Sequence, residues 1–105
     1  MVWKLTNFMK KEIMAPFKEK TVQSELKNLK DWYFEDNGIE KKFQFKDFSQ
    51  ALEFIVKVGE LSEKRNHHPE IFNVYNKVTL RLTTHDAAGV TDKDIDLAKA
   101  IDQIK

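Results

Sequence analysis

Most of the side chains that could do chemistry lie between residues 63 and 94. This stretch contains all three histidines, His67, His68 and His85, with the carboxylates Glu63 and Asp94 at its two ends. Histidine titrates near neutral pH and can both donate and accept a proton. Two histidines on separate loops at one end of a sheet could therefore act on opposite sides of a small planar substrate by general acid–base catalysis.

Two other interpretations of the histidines stay open on the residues alone. His67, His85 and one carboxylate could form a two-histidine, one-carboxylate metal site, or the histidines could simply lie on surface loops. Pro69 argues against chelation of one ion by both His67 and His68. The residue before a proline is extended, and neighbours in an extended chain point to opposite sides. The sequence contains no glycine-rich phosphate loop and no serine or cysteine nucleophile pattern, which disfavours covalent catalysis.

The two carboxylates each have a structural interpretation beside the chemical one. Asp94 follows Thr91 by three residues, the spacing of a capping box at a helix N-terminus. A carboxylate in that position can also point past the helix end and orient a histidine such as His85. Glu63 lies among charged residues near the end of a predicted helix, where a solvated side chain is the ordinary expectation.

Periodicity predicts the elements that must position these groups. Alternation of apolar and polar residues indicates strands, and apolar residues at helical spacing indicate helices. The predicted elements are a helix over 21–30, strands over 32–34 and 39–46 joined by an Asn37-Gly38 turn, a helix over 47–65, strands over 71–75 and 77–84, and a helix over 92–104. This order, α-β-β-α-β-β-α, predicts an α+β domain with helices on one face of a four-stranded antiparallel sheet.

Two segments are less determined by pattern. Residues 1–20 are predicted to be an arm or a short helix, and residues 21–105 a single domain. In the long helix, a main stripe of apolar residues is widened by Phe54, Val56 and Leu61. The extra residues either belong to the edge of the core or meet another subunit.

Composition excludes several classes of protein. A chain of 105 residues is long enough for one domain. Its net charge of +1 gives no strong positive electrostatic field that would attract nucleic acid or an anionic membrane. No apolar run reaches the roughly 20 residues of a membrane span, and the lysine-rich start is interrupted by acids, unlike a secretory signal. The absence of cysteine excludes disulfides and thiolate metal sites, so we expect a cytoplasmic protein.

The same stretch resembles the pterin-4a-carbinolamine dehydratase family. An acid at Glu63 is followed after three residues by His-His-Pro, after five more by Tyr75, after nine by His85 and after eight by Asp94. The matching segments, read in order, are Glu63-Lys64-Arg65-Asn66-His67-His68-Pro69-Glu70, Asn73-Val74-Tyr75-Asn76-Lys77-Val78, Thr84-His85-Asp86-Ala87 and Thr91 to Asp94. The resemblance covers about residues 22–104 and departs from the family at Ile71, where tryptophan is common, and at Asn66, where some relatives have aspartate.

The resemblance implies a specific reaction, the removal of water from 4a-hydroxytetrahydrobiopterin to give quinonoid dihydrobiopterin, in tetrahydrobiopterin recycling. It implies no metal and no organic cofactor. His67 and His85 would be the acid–base pair, and His68, also a catalytic residue, would contact the pterin and help select the face from which hydroxide leaves. Asp94 would hold His85 or the pterin ring nitrogens, while Glu63 and Asn66 would contribute to substrate binding.

The resemblance also implies partners. Subunits would pair through their sheets as homodimers, or pair again through the long helix as homotetramers. A non-catalytic alternative is a protein-interaction module, since some relatives bind the dimerisation helices of a transcription factor. The retained set of His67, His85 and Asp94 favours the enzyme, because a binding module has no need of these residues together.

Overall fold

The structure, a computed structural model, describes residues 15–105. Within that range the elements are α1 (Glu19–Leu26), β1 (Tyr33–Glu35), β2 (Gly38–Gln44), α2 (Phe48–Arg65), β3 (Glu70–Val74), β4 (Lys77–Leu82), a 3₁₀ turn (His85–Ala87) and α3 (Asp92–Asp102). The predicted order α-β-β-α-β-β-α is confirmed, with element ends displaced by at most four residues from the prediction. The first fourteen residues of the predicted arm lie outside the described residues.

The four strands form one antiparallel sheet in the order β1-β2-β4-β3. Side chains alternate between its faces, as antiparallel strands with one covered face require. Ile39 pairs with Leu82 and Phe43 with Val78 on the face that the helices cover. The predicted alternation in β2 and β4 is therefore confirmed, and β3 lies at an edge of the sheet.

The turn between β1 and β2 differs from the prediction by one residue. Asp36 and Asn37, with φ of 47° and 60°, are the two central residues, while Gly38 begins β2 opposite Glu35. Two successive positive φ values match the type I′ turn that suits a hairpin. A Cβ at 38 would lie 2.6 Å from the guanidinium carbon of Arg81, so a side chain at this position would displace the Arg81 guanidinium.

Helix α2 begins with a side-chain cap and carries apolar residues on two faces. Asp47 accepts a hydrogen bond from the backbone N–H of Gln50 at 2.9 Å, and the Gln50 side chain accepts one from the backbone N–H of Lys46 at 3.1 Å. Ala51, Phe54 and Val58 are buried against the sheet, so Phe54 belongs to the core rather than to the predicted extension of the stripe. The exposed apolar face consists of Phe48, Leu52 and Val56.

The core lies between the covered face of the sheet and the three helices. It is built mainly from aliphatic side chains: Val22, Ile39, Val58, Val78, Leu80, Leu82, Val90, Leu97 and Ile101 are each at most 1% exposed. Lys41 also points to this face and is held at its edge by Asp102, whose carboxylate lies 3.0 Å from Lys41 Nζ and accepts from the indole N–H of Trp32. None of the described helices is long and apolar enough to cross a membrane.

Two features fix the loops at the end of the sheet where β3 begins and β4 ends. The backbone N–H of Phe17 donates to the carbonyl of Val90 at 2.8 Å, so the chain before α1 lies along the loop that precedes α3. Pro16 approaches Gly89 closely enough that a Cβ at 89 would lie 2.7 Å from it. This end of the sheet contains the predicted site residues.

Candidate active site

The end of α2 separates the two adjacent histidines. Asn66 adopts the left-handed conformation (φ 48°, ψ 43°), and the N–H groups of Asn66 and His67 bond to the carbonyls of Glu63 and Ser62. This arrangement satisfies the last carbonyls of the helix and turns the chain sharply away from its axis. Asparagine tolerates the left-handed region better than most residues, so its type at 66 has a structural reason.

His67 is directed inward to a carboxylate on the last helix. Its Nε2 lies 2.5 Å from Oδ1 of Asp94, and the two side chains are 12% and 0% exposed. Asp94 lies in the first turn of α3, where the unpaired backbone N–H groups of a helix stabilise a negative charge. A buried carboxylate needs such partners, because desolvation would otherwise cost several kcal/mol.

The second oxygen of Asp94 is also fully engaged. Oδ2 accepts from the backbone N–H of Thr91 at 2.9 Å, which closes the predicted capping box, and from the hydroxyl of Thr84 at 2.8 Å. One carboxylate thus holds the start of α3, the chain just after β4 and the histidine after α2. Three segments that are distant in sequence meet at this side chain.

These contacts assign the proton on His67. An ionised carboxylate can only accept hydrogen bonds, so Nε2 donates to Asp94 and the neutral ring has its lone pair on Nδ1. Within residues 15–105, Nδ1 has no hydrogen-bond partner, and no buried side-chain nitrogen or oxygen is left unpaired. Nδ1 is therefore the atom of His67 that reaches the surface, where it can exchange a proton with a bound molecule.

His68 points the other way, to solvent. Its Nε2 lies 2.5 Å from Oε2 of Glu63, in the last turn of α2, and the two side chains are 55% and 77% exposed. The divergence of His67 and His68 predicted from Pro69 is confirmed by their different partners. An exposed pair of this kind contributes at most about 1 kcal/mol to stability, so its position is better explained by the site than by the fold.

His85 lies next to the same network without joining it. It follows Thr84, which is buried and extended (φ −97°, ψ 105°), so the two side chains point in opposite directions and that of His85 is exposed. His67 contacts Asp94, Asp94 accepts a hydrogen bond from Thr84, and Thr84 directly precedes His85 in the sequence. The structure thus brings His67, Asp94 and the backbone before His85 together, with His68 and Glu63 beside them.

One predicted contact is different in the structure. Asp94 contacts His67, whereas the sequence favoured His85 as its partner, since only a short loop separates His85 from α3. The position of the end of α2, which is distant in sequence, could not be inferred from that loop. Thr84 was not predicted as a site residue. A signal for it existed: the alternation that buries Val78, Leu80 and Leu82 also buries residue 84.

Fold and site together define a small α+β protein with an inward-facing carboxylate–histidine pair at one end of an antiparallel sheet. The family model described as pterin 4 alpha carbinolamine dehydratase matches residues 15–104. The chain therefore belongs to the pterin-4-alpha-carbinolamine dehydratase family, whose activity is that of a hydro-lyase. The resemblance seen in the sequence is confirmed.

Relatives of known sequence agree. A protein of Sulfurisphaera tokodaii, named provisionally as a pterin-4-alpha-carbinolamine dehydratase, is 46% identical over 91 residues, which are 87% of this chain and 98% of the relative. A protein of Picosynechococcus with the same provisional name is 47% identical over 83 residues, covering 79% of this chain and 90% of the relative. The chain thus spans almost the full length of both relatives.

Solved structures agree on the fold. A crystal structure described as a transcriptional coactivator/pterin dehydratase from Brucella melitensis has a TM-score of 0.80 and 38% identity, and the match covers 84% of this chain and 96% of that one. A pterin dehydratase-like protein described as a RuBisCO assembly factor has a TM-score of 0.56 at 21% identity, covering 68% of this chain and 82% of that one. The second similarity concerns the fold alone.

Proposed function

We propose that this protein dehydrates 4a-hydroxytetrahydrobiopterin to quinonoid dihydrobiopterin by histidine acid–base catalysis, as a step of tetrahydrobiopterin recycling in the cytoplasm. The observation that carries the proposal is the His67–Asp94 contact, 2.5 Å between a nearly buried imidazole and a fully buried carboxylate. Such a contact orients an imidazole and selects one tautomer, which is the requirement for directed proton transfer.

The reaction is an elimination across the C4a–N5 bond of the pterin. The C4a–O bond breaks, the N5–H bond loses its proton, and a C4a=N5 double bond forms while the hydroxyl leaves as water. Both transferred protons are on heteroatoms, so neither a covalent intermediate nor an oxidant is required. One base for N5 and one acid for the departing hydroxyl are sufficient.

His67 suits the role of base, and His85 the role of acid. With its Nε2–H bound to Asp94, His67 presents the Nδ1 lone pair at the surface, and the carboxylate stabilises the imidazolium that forms. His85 is exposed on the neighbouring loop, from which it could protonate the 4a-hydroxyl. General acid–base assistance of this kind contributes about 10²–10⁴-fold to rate.

His68, Glu63 and Asn66 suit substrate binding. The His68–Glu63 pair is exposed beside His67 and offers a donor and an acceptor to the polar edge of a pterin. Asn66, exposed at the end of α2, has its side-chain amide free of its helix-ending role, which its backbone performs. Its side chain could therefore replace the aspartate of some relatives as a pterin contact.

Self-association is part of the proposal. Among residues 15–105, strand β3 is at a sheet edge and no strand pairs with its outer side, and its exposed apolar residues are Ile71, Phe72 and Val74. Soluble proteins seldom leave a long apolar edge open. We propose edge-to-edge pairing at β3 into a homodimer, and pairing through the exposed α2 face (Phe48, Leu52 and Val56) into a homotetramer.

The α2 face also supports a second candidate function, a coactivator-like module that binds a partner helix. Three apolar residues spaced by four, each more than 40% exposed, form a suitable helical stripe. The two functions are separable, because Val56 lies on the exposed face in the middle of α2, so Val56→Lys would abolish partner binding and leave the His67–Asp94 contact intact. The preserved His67–Asp94 contact favours the enzyme.

The decisive experiment generates the 4a-carbinolamine and follows its dehydration optically with purified protein. We expect wild-type protein to accelerate the reaction, and His67→Ala and His85→Ala each to remove most of the acceleration while circular dichroism shows an unchanged fold. Lys27→Ala, an exposed change beyond α1, serves as the control. Absence of acceleration by the wild type would overturn the enzymatic proposal, and two fully active histidine variants would overturn the assignment of roles.

A further inference from the structure

Thr84 places a hydroxyl where the fold alone would place a methyl group. Val78, Leu80, Leu82 and residue 84 alternate onto the same covered face, and Thr84 is 4% exposed. Valine has the same shape and would fill this position without any polar group. A buried hydroxyl costs free energy unless it is hydrogen-bonded. The hydrogen-bond partners of the Thr84 hydroxyl therefore indicate its role.

The hydrogen bonds of Thr84 have a single consistent direction. Its one hydroxyl proton is donated to Oδ2 of Asp94 at 2.8 Å. The hydroxyls of Thr84 and Thr91 lie 2.6 Å apart, so the Thr91 hydroxyl must donate this hydrogen bond and the Thr84 oxygen must accept it. Thr91 Oγ1 accepts in turn from the backbone N–H of Lys93 at 3.3 Å. A one-way chain of donors therefore runs from the start of α3 to the Asp94 carboxylate.

This direction determines where a proton can reside. Oδ2 of Asp94 receives two donors, the Thr84 hydroxyl and the Thr91 N–H, and so is not a site for a proton. The one remaining proton lies between Oδ1 and His67 Nε2. Without the Thr84 hydroxyl, Oδ2 would keep a single donor and the carboxylate could turn away from Nε2, so His67 could lose the Nε2–H form.

We propose that Thr84 is a positioning residue that keeps Asp94 an acceptor on both oxygens and thereby holds His67 in the Nε2–H tautomer, with Nδ1 free for the reaction. Thr91 orients the Thr84 hydroxyl. The kinetic consequence of this proposal rests on the proposed dehydratase function, whereas the effect on the His67 tautomer does not.

The test compares Thr84→Val with Thr84→Ser. Thr83→Val is the matched control, because the Thr83 hydroxyl donates at 2.8 Å to the backbone carbonyl of Asn37, away from Asp94. Each full-length variant is assayed for kcat and KM, and the His67 tautomer is read from the ¹⁵N shifts of its ring nitrogens in the protein without substrate. A structural role alone would move neither the tautomer nor kcat in folded protein.

We expect Thr84→Val to lower kcat about tenfold, equivalent to about 1.4 kcal/mol in the barrier, with little change in KM and with a clear population of the Nδ1–H tautomer. Thr84→Ser should restore both readouts, and Thr83→Val should match the wild type. If Thr84→Val does not fold, Thr84→Ala removes the hydroxyl with less demand on space.

Wild-type tautomer and kcat in a folded Thr84→Val or Thr84→Ala variant would overturn the proposal, as would loss of the Nε2–H form in Thr84→Ser. The dehydratase proposal fails separately, through absence of acceleration by the wild type. In that case the ring-nitrogen shifts of the same variants still support or refute the role of Thr84.

Discussion

Asp94→Asn should move the proton of the neutral His67 ring from Nε2 to Nδ1 while conserving the shape of the site. The backbone N–H of Thr91 is a fixed donor at 2.9 Å, so the amide oxygen must take the place of Oδ2. The amide NH₂ then faces His67 Nε2, at the 2.5 Å position where the carboxylate accepted. Two donors repel, so the neutral imidazole must move its proton to Nδ1 and lose the lone pair that the proposed reaction uses.

The magnitude follows from the contacts that change. Loss of the base should remove most of the about 10²–10⁴-fold contribution of acid–base catalysis. Hydrogen bonds to a charged acceptor are worth about 1.5–3 kcal/mol and neutral ones about 0.5–1.5 kcal/mol. Asp94 accepts from His67, Thr84 and Thr91, and a loss of about 1 kcal/mol at each of these three bonds predicts a loss of about 3 kcal/mol in unfolding free energy. For a domain of about 100 residues, each kcal/mol corresponds to about 4–8 °C in Tm.

The assay is the optical dehydration measurement, with calorimetry and ¹⁵N shifts of His67 on the same preparations. Asp96→Asn is the matched control: it makes the same change on the same helix, at a side chain that is 66% exposed and paired with Arg65. If Asp94→Asn kept kcat within a factor of about 3, under 1 kcal/mol in the barrier, or retained the Nε2–H tautomer, the assignment of His67 as the oriented base would be wrong.

Three further outcomes are expected. Asp102→Ala should lower the unfolding free energy by about 2–3 kcal/mol in urea titrations, because it leaves Lys41, whose side chain is 12% exposed, and the Trp32 indole without their acceptor; an unchanged midpoint would contradict this. EDTA should leave the dehydration rate unchanged, since Nε2 of His67 is already bound to Asp94 and residues 15–105 contain no cluster of three metal-binding side chains; inhibition reversed by added Zn²⁺ would restore the metal hypothesis. Phe72→Glu should lower the oligomeric state in sedimentation experiments, and a tetramer of unchanged stability would exclude pairing at β3.

Much of the fold follows from local pattern. The alternation in β2 and β4 identified the covered face of the sheet, and the Thr91–Asp94 capping-box spacing marked the start of α3. The turn after β1 was displaced by one residue because the Asn-Gly preference is local, whereas the turn is also held by Arg81, which is far along the chain and donates to the carbonyls of Glu35 and Asp36. Contacts between distant segments override local preferences of this size.

In the candidate site, too, local sequence pattern predicted some features, whereas contacts between distant segments could not be predicted. The spacing of residues 63–94 located His67, His85 and Asp94, and Pro69 predicted that the histidine pair would diverge. The partner of Asp94 could not be predicted, because it depends on how the end of α2 lies over the start of α3. Thr84 was overlooked because threonine is common at strand ends, and only the donor count at Asp94 reveals the function of its hydroxyl.

The shared use of Asp94 has a consequence for motion. The carboxylate that orients His67 is also the one that closes the first turn of α3. Fraying of that turn would therefore release the imidazole at the same moment, and amide exchange at the start of α3 would report how often the His67–Asp94 contact opens. Helix ends usually open more easily than cores. Here the buried hydroxyls and the histidine make this end an exception, so heat should abolish activity and melt the domain in a single event.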